Sequence, residues 1–193
     1  LSSTGTATAL AADRVAKVAD AYPNSALAQF LAAETVALAG RNPMAQLEKA
    51  VRAAPSFAAA QTMRGHAFVA AREVRKAFDA YSASAAVLPD PGVLVRSGIL
   101  GETLGEDAAA EAAYRAFLKA QPNSYIAMNQ LAWFLAVRAD DLTEATALAQ
   151  AALVIKPGNA AILDTLGWIA YREGDAALAV ERLNQASAAT GGQ

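Results

Sequence analysis

With 193 residues, a formal net charge of −2 and charges of both signs scattered along it, the chain has no basic block to gather phosphates. That excludes nucleic-acid binding on composition. Cysteine is absent, which removes disulfides, thiolate metal sites and cysteine nucleophiles together, and no apolar run approaches the roughly 20 residues of a membrane span. Alanine, the strongest helix former, supplies 53 residues, and strictly alternating β-branched runs are missing, so the chain reads as all-α.

The first nine residues, rich in Ser, Thr and Gly, read as a disordered segment (1–9) or the cut end of a preceding unit. A lone helix follows over 7–22, with Val15 and Val18 on its inward face. Five prolines then punctuate the chain, Pro23, Pro55, Pro89, Pro122 and Pro157, at intervals of 32, 34, 33 and 35 residues. A period near 34 marks an array of helix–turn–helix repeats. The units run over about 24–57, 58–90, 91–124, 125–159 and 160–190, giving about 11 helices in one array over 10–193.

In the first unit Leu27, Phe30, Leu47 and Ala50 form the apolar face, and Pro43 opens a shortened second helix capped by Asn42. The second unit offers Gly65, Phe68, Ala77 and Tyr81, and the third Leu94, Gly98, Ala110, Tyr114 and Phe117. Gly92, Gly98 and Gly101 each cost the third unit's first helix up to about 1 kcal/mol against alanine, so it should be the softest. The glycine-rich run from Gly98 to Gly105 follows no strand and lacks a phosphate-loop lysine; close helix packing accounts for it. The fourth unit supplies Met128, Leu131, Ala132, Leu135, Ala145 and Ala152, with one extra residue expected in the Asp140-Asp141 turn. In the last, Leu163, Leu166, Ile169 and Ala170 recur at helical spacing. Gly174-Asp175 ends that helix and caps a second one through Leu178, Val180, Leu183 and Ala186.

This pattern resembles the tetratricopeptide repeat family. The last unit carries it as Leu163, Leu166, Gly167, Ala170, Ala179, Leu183 and Ala186, and the other units carry it in phase. Departures fall at Leu31, where a small residue is expected, at Pro43, and at Ser97 and Gly101. The resemblance implies a right-handed α-solenoid of antiparallel helix pairs whose first helices line a concave, ligand-facing surface. Carried over by position, its groove residues are Met63, His66, Arg96, Glu102, Asn129, Gln130, Trp133, Asp164, Trp168, Tyr171 and Arg172. Trp133 and Trp168 hold the same position in adjacent repeats and either pack between first helices or contact a ligand. The lysine–asparagine clamp with which some members hold a C-terminal carboxylate is missing: Ala28 and Ala32, Thr62 and His66, Val95 and Ile99 stand in its places.

Chemistry is harder to find. His66, the one histidine, reads as a structural side chain, no metal cluster surrounds it, and no nucleophile elbow, phosphate loop or metalloprotease helix is present. The expected protein is therefore not an enzyme, needs no cofactor and no metal, and binds a protein or peptide. The stretches Asn129 to Trp133 and Leu163 to Trp168 resemble repeats of bacterial envelope-assembly proteins, such as those of exopolysaccharide secretion. That implies a periplasmic or envelope setting, with a lipoprotein signal or anchor upstream of Leu1 and no membrane insertion by this segment; a cytoplasmic setting stays open. Two alternatives are a structural array that forms homo-oligomers through uncapped ends, using Val180 and Leu183, and a non-catalytic domain of an exopolysaccharide synthesis or export complex.

Overall fold

A computed structural model describes residues 3–191; Leu1, Ser2, Gly192 and Gln193 lie outside them. The described residues form eleven α-helices and one π-helical turn, with no strand. Helix α1 spans Ser3–Asp20, so residues 3–9 are helical where the composition suggested a disordered or cut segment, and the lone helix begins earlier than expected. The remaining helices pair as α2 (Ala26–Leu38) with α3 (Met44–Ala53), α4 (Ala58–Ala70) with α5 (Val74–Val87), and α6 (Pro91–Leu104) with α7 (Asp107–Ala120). Next come α8 (Tyr125–Phe134), continued by the π turn Leu135–Ala139, with α9 (Leu142–Ile155), and α10 (Ala160–Arg172) with α11 (Ala176–Ala189). The chain divides into two compact units, Leu1–Pro89 and Asp90–Gln193.

A proline precedes each first helix, and in four of the five a short polar side chain accepts the orphan N–H of the third helical residue: Ser25 from Ala28, Asp90 from Val93, Ser124 from Ala127 and Asn159 from Ile162. Helix α4 starts after Phe57 with no side-chain cap. Each first helix ends on a residue in the left-handed region, Gly40, Arg72, Gly105, Asp140 or Gly174. The N–H after that residue bonds back to the carbonyl five residues earlier, as in Glu73 to Phe68 at 2.9 Å and Glu106 to Gly101 at 2.8 Å. In the fourth repeat the bond spans one residue more, Asp141 to Leu135 at 3.2 Å. The extra residue is therefore absorbed inside the π turn, not in the Asp140-Asp141 turn. A one-residue insertion widens a helix to i→i+5 bonding at low cost when tertiary packing holds both sides.

Helix pairs close on small residues. A Cβ added at Gly65 would lie 2.5 Å from the Tyr81 ring, and one at Gly98 would lie 2.5 Å from the Tyr114 ring. Both tyrosines are fully buried. Gly98 and Gly101 therefore mark the closest approach of α6 and α7. The core of the second unit gathers Tyr114, Leu131, Phe134, Leu135, Ile162 and Ile169 around Ala110, Ala132, Ala145, Ala149 and Ala152.

Two expectations about inward faces, at Val18 and Leu27, are corrected. In α1 the buried residues are Ala12 and Ala19, with Val15 half-buried; Val18 is exposed, because α2 meets the alanine stripe. In α2 the buried set is Gln29, Ala32, Ala33 and Val36, while Leu27 and Leu31 are exposed. Ser25 caps α2 and places the repeat two residues later than the leucines suggested. The small residue missed at Leu31 is Ala33, and the two missing residues shorten α3, where Met44 N–H donates to Asn42 Oδ1 at 2.9 Å. Buried Gln29 and Gln61 share one position in the first two repeats, and each donates to a carbonyl of the preceding turn or helix end, Ala19 at 2.7 Å and Pro55 at 3.0 Å. In α11, Ala179 and Ala186 are buried but Val180 and Leu183 stay exposed.

Candidate functional site

The carried-over residues lie on the first helices of their pairs: Met63 and His66 on α4, Arg96 and Glu102 on α6, Asn129, Gln130 and Trp133 on α8, and Asp164, Trp168, Tyr171 and Arg172 on α10. Of those in the second unit, six converge. Trp133 and Trp168 meet with ring centroids 6.1 Å apart and planes tilted by 46°, and Trp168 meets Tyr171 at 5.7 Å. The three rings wall a cavity of about 460 Å³ with Asp164, Gly167, Val180 and Leu183. Trp133 also lines a second cavity of about 370 Å³, with Ile99, Glu102, Thr103, Tyr114, Gln130 and Arg138. Trp133 thus belongs to both, packing against Trp168 while still facing open space. Tyr171, 63% exposed, and Trp168, 37% exposed, keep ring surface available.

The other candidates have mostly local occupations. Glu102 accepts the Tyr114 hydroxyl, and burial together with that carboxylate pushes the phenol's pKa well above its ordinary value. Arg96 turns back on its own helix, donating to the Gly92 carbonyl at 2.7 Å. His66 stands edge-on to Tyr81 at 5.6 Å between centroids. Asn129 is half-buried, with its Oδ1 shielded and unpaired.

Arg172 holds structure together: its guanidinium donates to the Ala136 carbonyl at 2.7 Å and to Asp140 Oδ1 at 2.5 Å. It thereby satisfies a carbonyl at the helix end, where the π turn frees acceptors. Arg138, at the matching place one repeat earlier, donates to the Glu102 carbonyl at 3.1 Å. Both pairs span 36 residues. Each arginine thus staples one first helix to the end of the one before, a role favoured by the negative end of the helix dipole.

Sequence reasoning missed a set in the first unit. Val15, Leu31, Glu34, Thr35, Ala37 and Leu38 line a cavity of about 660 Å³ with Met63. With α2 correctly in register, Leu31, Glu34 and Leu38 fall at the ligand-facing positions. The signal was Leu38, an apolar residue left 78% exposed at the end of α2; the misplaced frame hid it. Among the described residues no group of three His, Asp or Glu could hold a metal. No helix among them is long and apolar enough to cross a membrane.

Comparison with known proteins supports the repeat reading. No protein-family model matches the chain. Over 97 residues, half of this chain, it is 35% identical to a TPR repeat-containing protein of Pseudomonas aeruginosa. The match covers 16% of that protein's length. The fold is that of the tetratricopeptide-repeat proteins. YrrB, described as a TPR protein with an unusual peptide-binding site, superposes with a TM-score of 0.78 at 19% identity, over 92% of this chain and 93% of its own. MamA of Desulfovibrio magneticus gives a TM-score of 0.65 at 14% identity, over 100% and 98%. PilF of Pseudomonas aeruginosa gives 0.65 at 16%, over 97% and 86%.

Proposed function

We propose that this chain is a non-catalytic bacterial scaffold that binds a protein or peptide segment on the ligand-facing positions of its first helices. One observation carries the reading: Trp133, Trp168 and Tyr171, brought from two repeats, leave ring surface exposed around an apolar cavity of about 460 Å³. Aromatic anchors around such a pocket are the usual composition of a binding hot spot. The likeness to YrrB, whose description includes a peptide-binding site, supports it. The setting we propose is an envelope or secretion assembly, in the periplasm, in keeping with the resemblance of the tryptophan-bearing repeats to bacterial envelope-assembly proteins. A non-catalytic place in an exopolysaccharide export complex fits the same reading.

A second reading has its own observation. Val180 and Leu183 of α11 are 59% and 43% exposed on a helix with no further helix covering it among the described residues. Self-association through that face would bury them, and sedimentation over a concentration series would show it as a rising mass.

The groove reading is tested by paired pull-downs with wild-type and Trp133→Ala/Trp168→Ala baits, matched first for helicity by circular dichroism. Arg172 is left intact because it holds the π turn. A protein captured by wild type and lost with the variant supports the groove; identical captures with both baits overturn it.

A further inference from the structure

The charge at two ligand-facing positions bears on what the second unit binds, granted the proposed reading that it binds a peptide at all. With registers fixed by the structure, the fifth and ninth positions of the five first helices hold Phe30 and Glu34, Thr62 and His66, Val95 and Ile99, Asn129 and Trp133, Asp164 and Trp168. None is a lysine or arginine, and the charged residues among them other than the histidine are acids. The two large apolar cavities repeat that arrangement within their own units: among the described residues, Glu34 is the only charged one lining the first and Asp164 the only one lining the second.

Asp164 is exposed and has no ion pair or hydrogen bond among the described residues. The arginines of the neighbouring helix ends and of α11 are engaged elsewhere, Arg182 with Gln185. Arg172 is bound to Ala136 and Asp140, and Arg138 to the Glu102 carbonyl. The rings of Trp168 and Tyr171 line the same cavity as this carboxylate. A basic side chain could lay its methylene stem along the rings and gain cation–π attraction while its head pairs with Asp164. Beside it, Val180, Leu183 and Gly167 leave an apolar floor that a cation cannot fill.

We propose that the second unit's cavity recognises a segment in which a large apolar residue stands next to a lysine or arginine. The apolar side chain enters against Val180 and Leu183, and the neighbouring cation pairs with Asp164 over Trp168. Acidic segments are rejected, because the described lining offers them no cation and one repelling carboxylate.

The test is a selection of random twelve-residue peptides on the full chain, followed by titration of synthetic winners. Trp133 and Trp168 are the only tryptophans, so intrinsic fluorescence reads this cavity directly. Expected winners pair a bulky apolar residue with Arg or Lys. Asp164→Asn should weaken them about tenfold, Arg→Gln in the peptide should cost at least as much, and the two changes together should cost little more than the peptide change alone. Acidic or uncharged winners, or indifference to Asp164→Asn, overturn the inference. Winners displaced by Leu38→Glu but not by Trp168→Ala would place binding in the first unit; that overturns the inference and leaves the scaffold reading standing. If no peptide is retained, both fail. A dimer abolished by Val180→Glu would make a second copy the occupant and also overturn it.

Discussion

The two large cavities differ in the chemistry of their walls. In the first unit Leu31, Leu38, Val15 and Met63 form an aliphatic surface with Glu34 at its edge. In the second, Trp133, Trp168 and Tyr171 present rings, with Asp164 beside them. Leucine and methionine adapt to many shapes and discriminate little, whereas aromatic rings packed on one another are rigid and lose little entropy on binding. The same positions of one repeat can thus make a permissive surface or a selective one.

That contrast predicts unequal consequences for binding. Trp168→Ala should cost a bound segment more than about 2 kcal/mol, and Leu38→Ala less than about 1 kcal/mol, by calorimetric titration. Equal losses would erase the distinction between the units.

The helix crossings differ in a parallel way. At Gly65 and Gly98 a methyl group would strike a buried tyrosine ring, but at Gly167 it would meet the Leu183 side chain, 2.9 Å away and partly exposed. Gly65→Ala and Gly98→Ala should each destabilise by about 1–3 kcal/mol in urea unfolding. Gly167→Ala should stay within about 1 kcal/mol of wild type, because Leu183 can swing aside and alanine favours the helix. A large loss at Gly167 would mean that Leu183 is held as firmly as the tyrosines.

Tyr114 adds a pH test. Its phenol is held protonated above its ordinary pKa of 10.0, first by burial and then by the Glu102 carboxylate. Above pH 10 the unfolded chain releases this proton and the folded chain keeps it. The unfolded state then binds fewer protons, and stability falls as pH rises. Tyr114→Phe should lose about 1.5 kcal/mol at neutral pH and show a shallower decline above pH 10. An unchanged alkaline slope would contradict the assignment.

The smallest effect is expected at the surface. Arg115 of α7 grips Glu144 of α9 with two bonds of 2.8 Å and lowers its pKa. Both side chains are more than a third exposed, so Glu144→Gln should cost only about 0.5 kcal/mol. Whatever the pair contributes should be present above the usual carboxylate range. It should fade as pH falls through the depressed pKa, as acid titration of the two proteins would show.

Much of the fold was legible because its rules are local. Prolines fix the period, Gly174-Asp175 marks a turn and the cap of the next helix, and the glycine-rich run from Gly98 marks close helix packing. The first repeat misled because Leu27, Phe30 and Leu31 mimic an inward stripe, while the buried set is one glutamine and small residues that hydropathy does not flag. The π turn was visible as one extra residue, but its place depends on which backbone bonds lengthen. Arg172 looked like a groove residue because its carbonyl partner lies 36 residues away, a contact that no sequence pattern announces. The tryptophan positions could be read from the repeat; their tilted contact, and the cavity they share with α11, required the fold.

The most direct test follows the two indole N–H resonances by nitrogen–proton NMR, assigned with Trp133→Phe and Trp168→Phe, while a captured partner segment is added. Both resonances should shift along one saturation curve that matches the binding isotherm. If the segment binds and both indoles stay where they were, the aromatic cavity is not the binding site and the central claim is wrong.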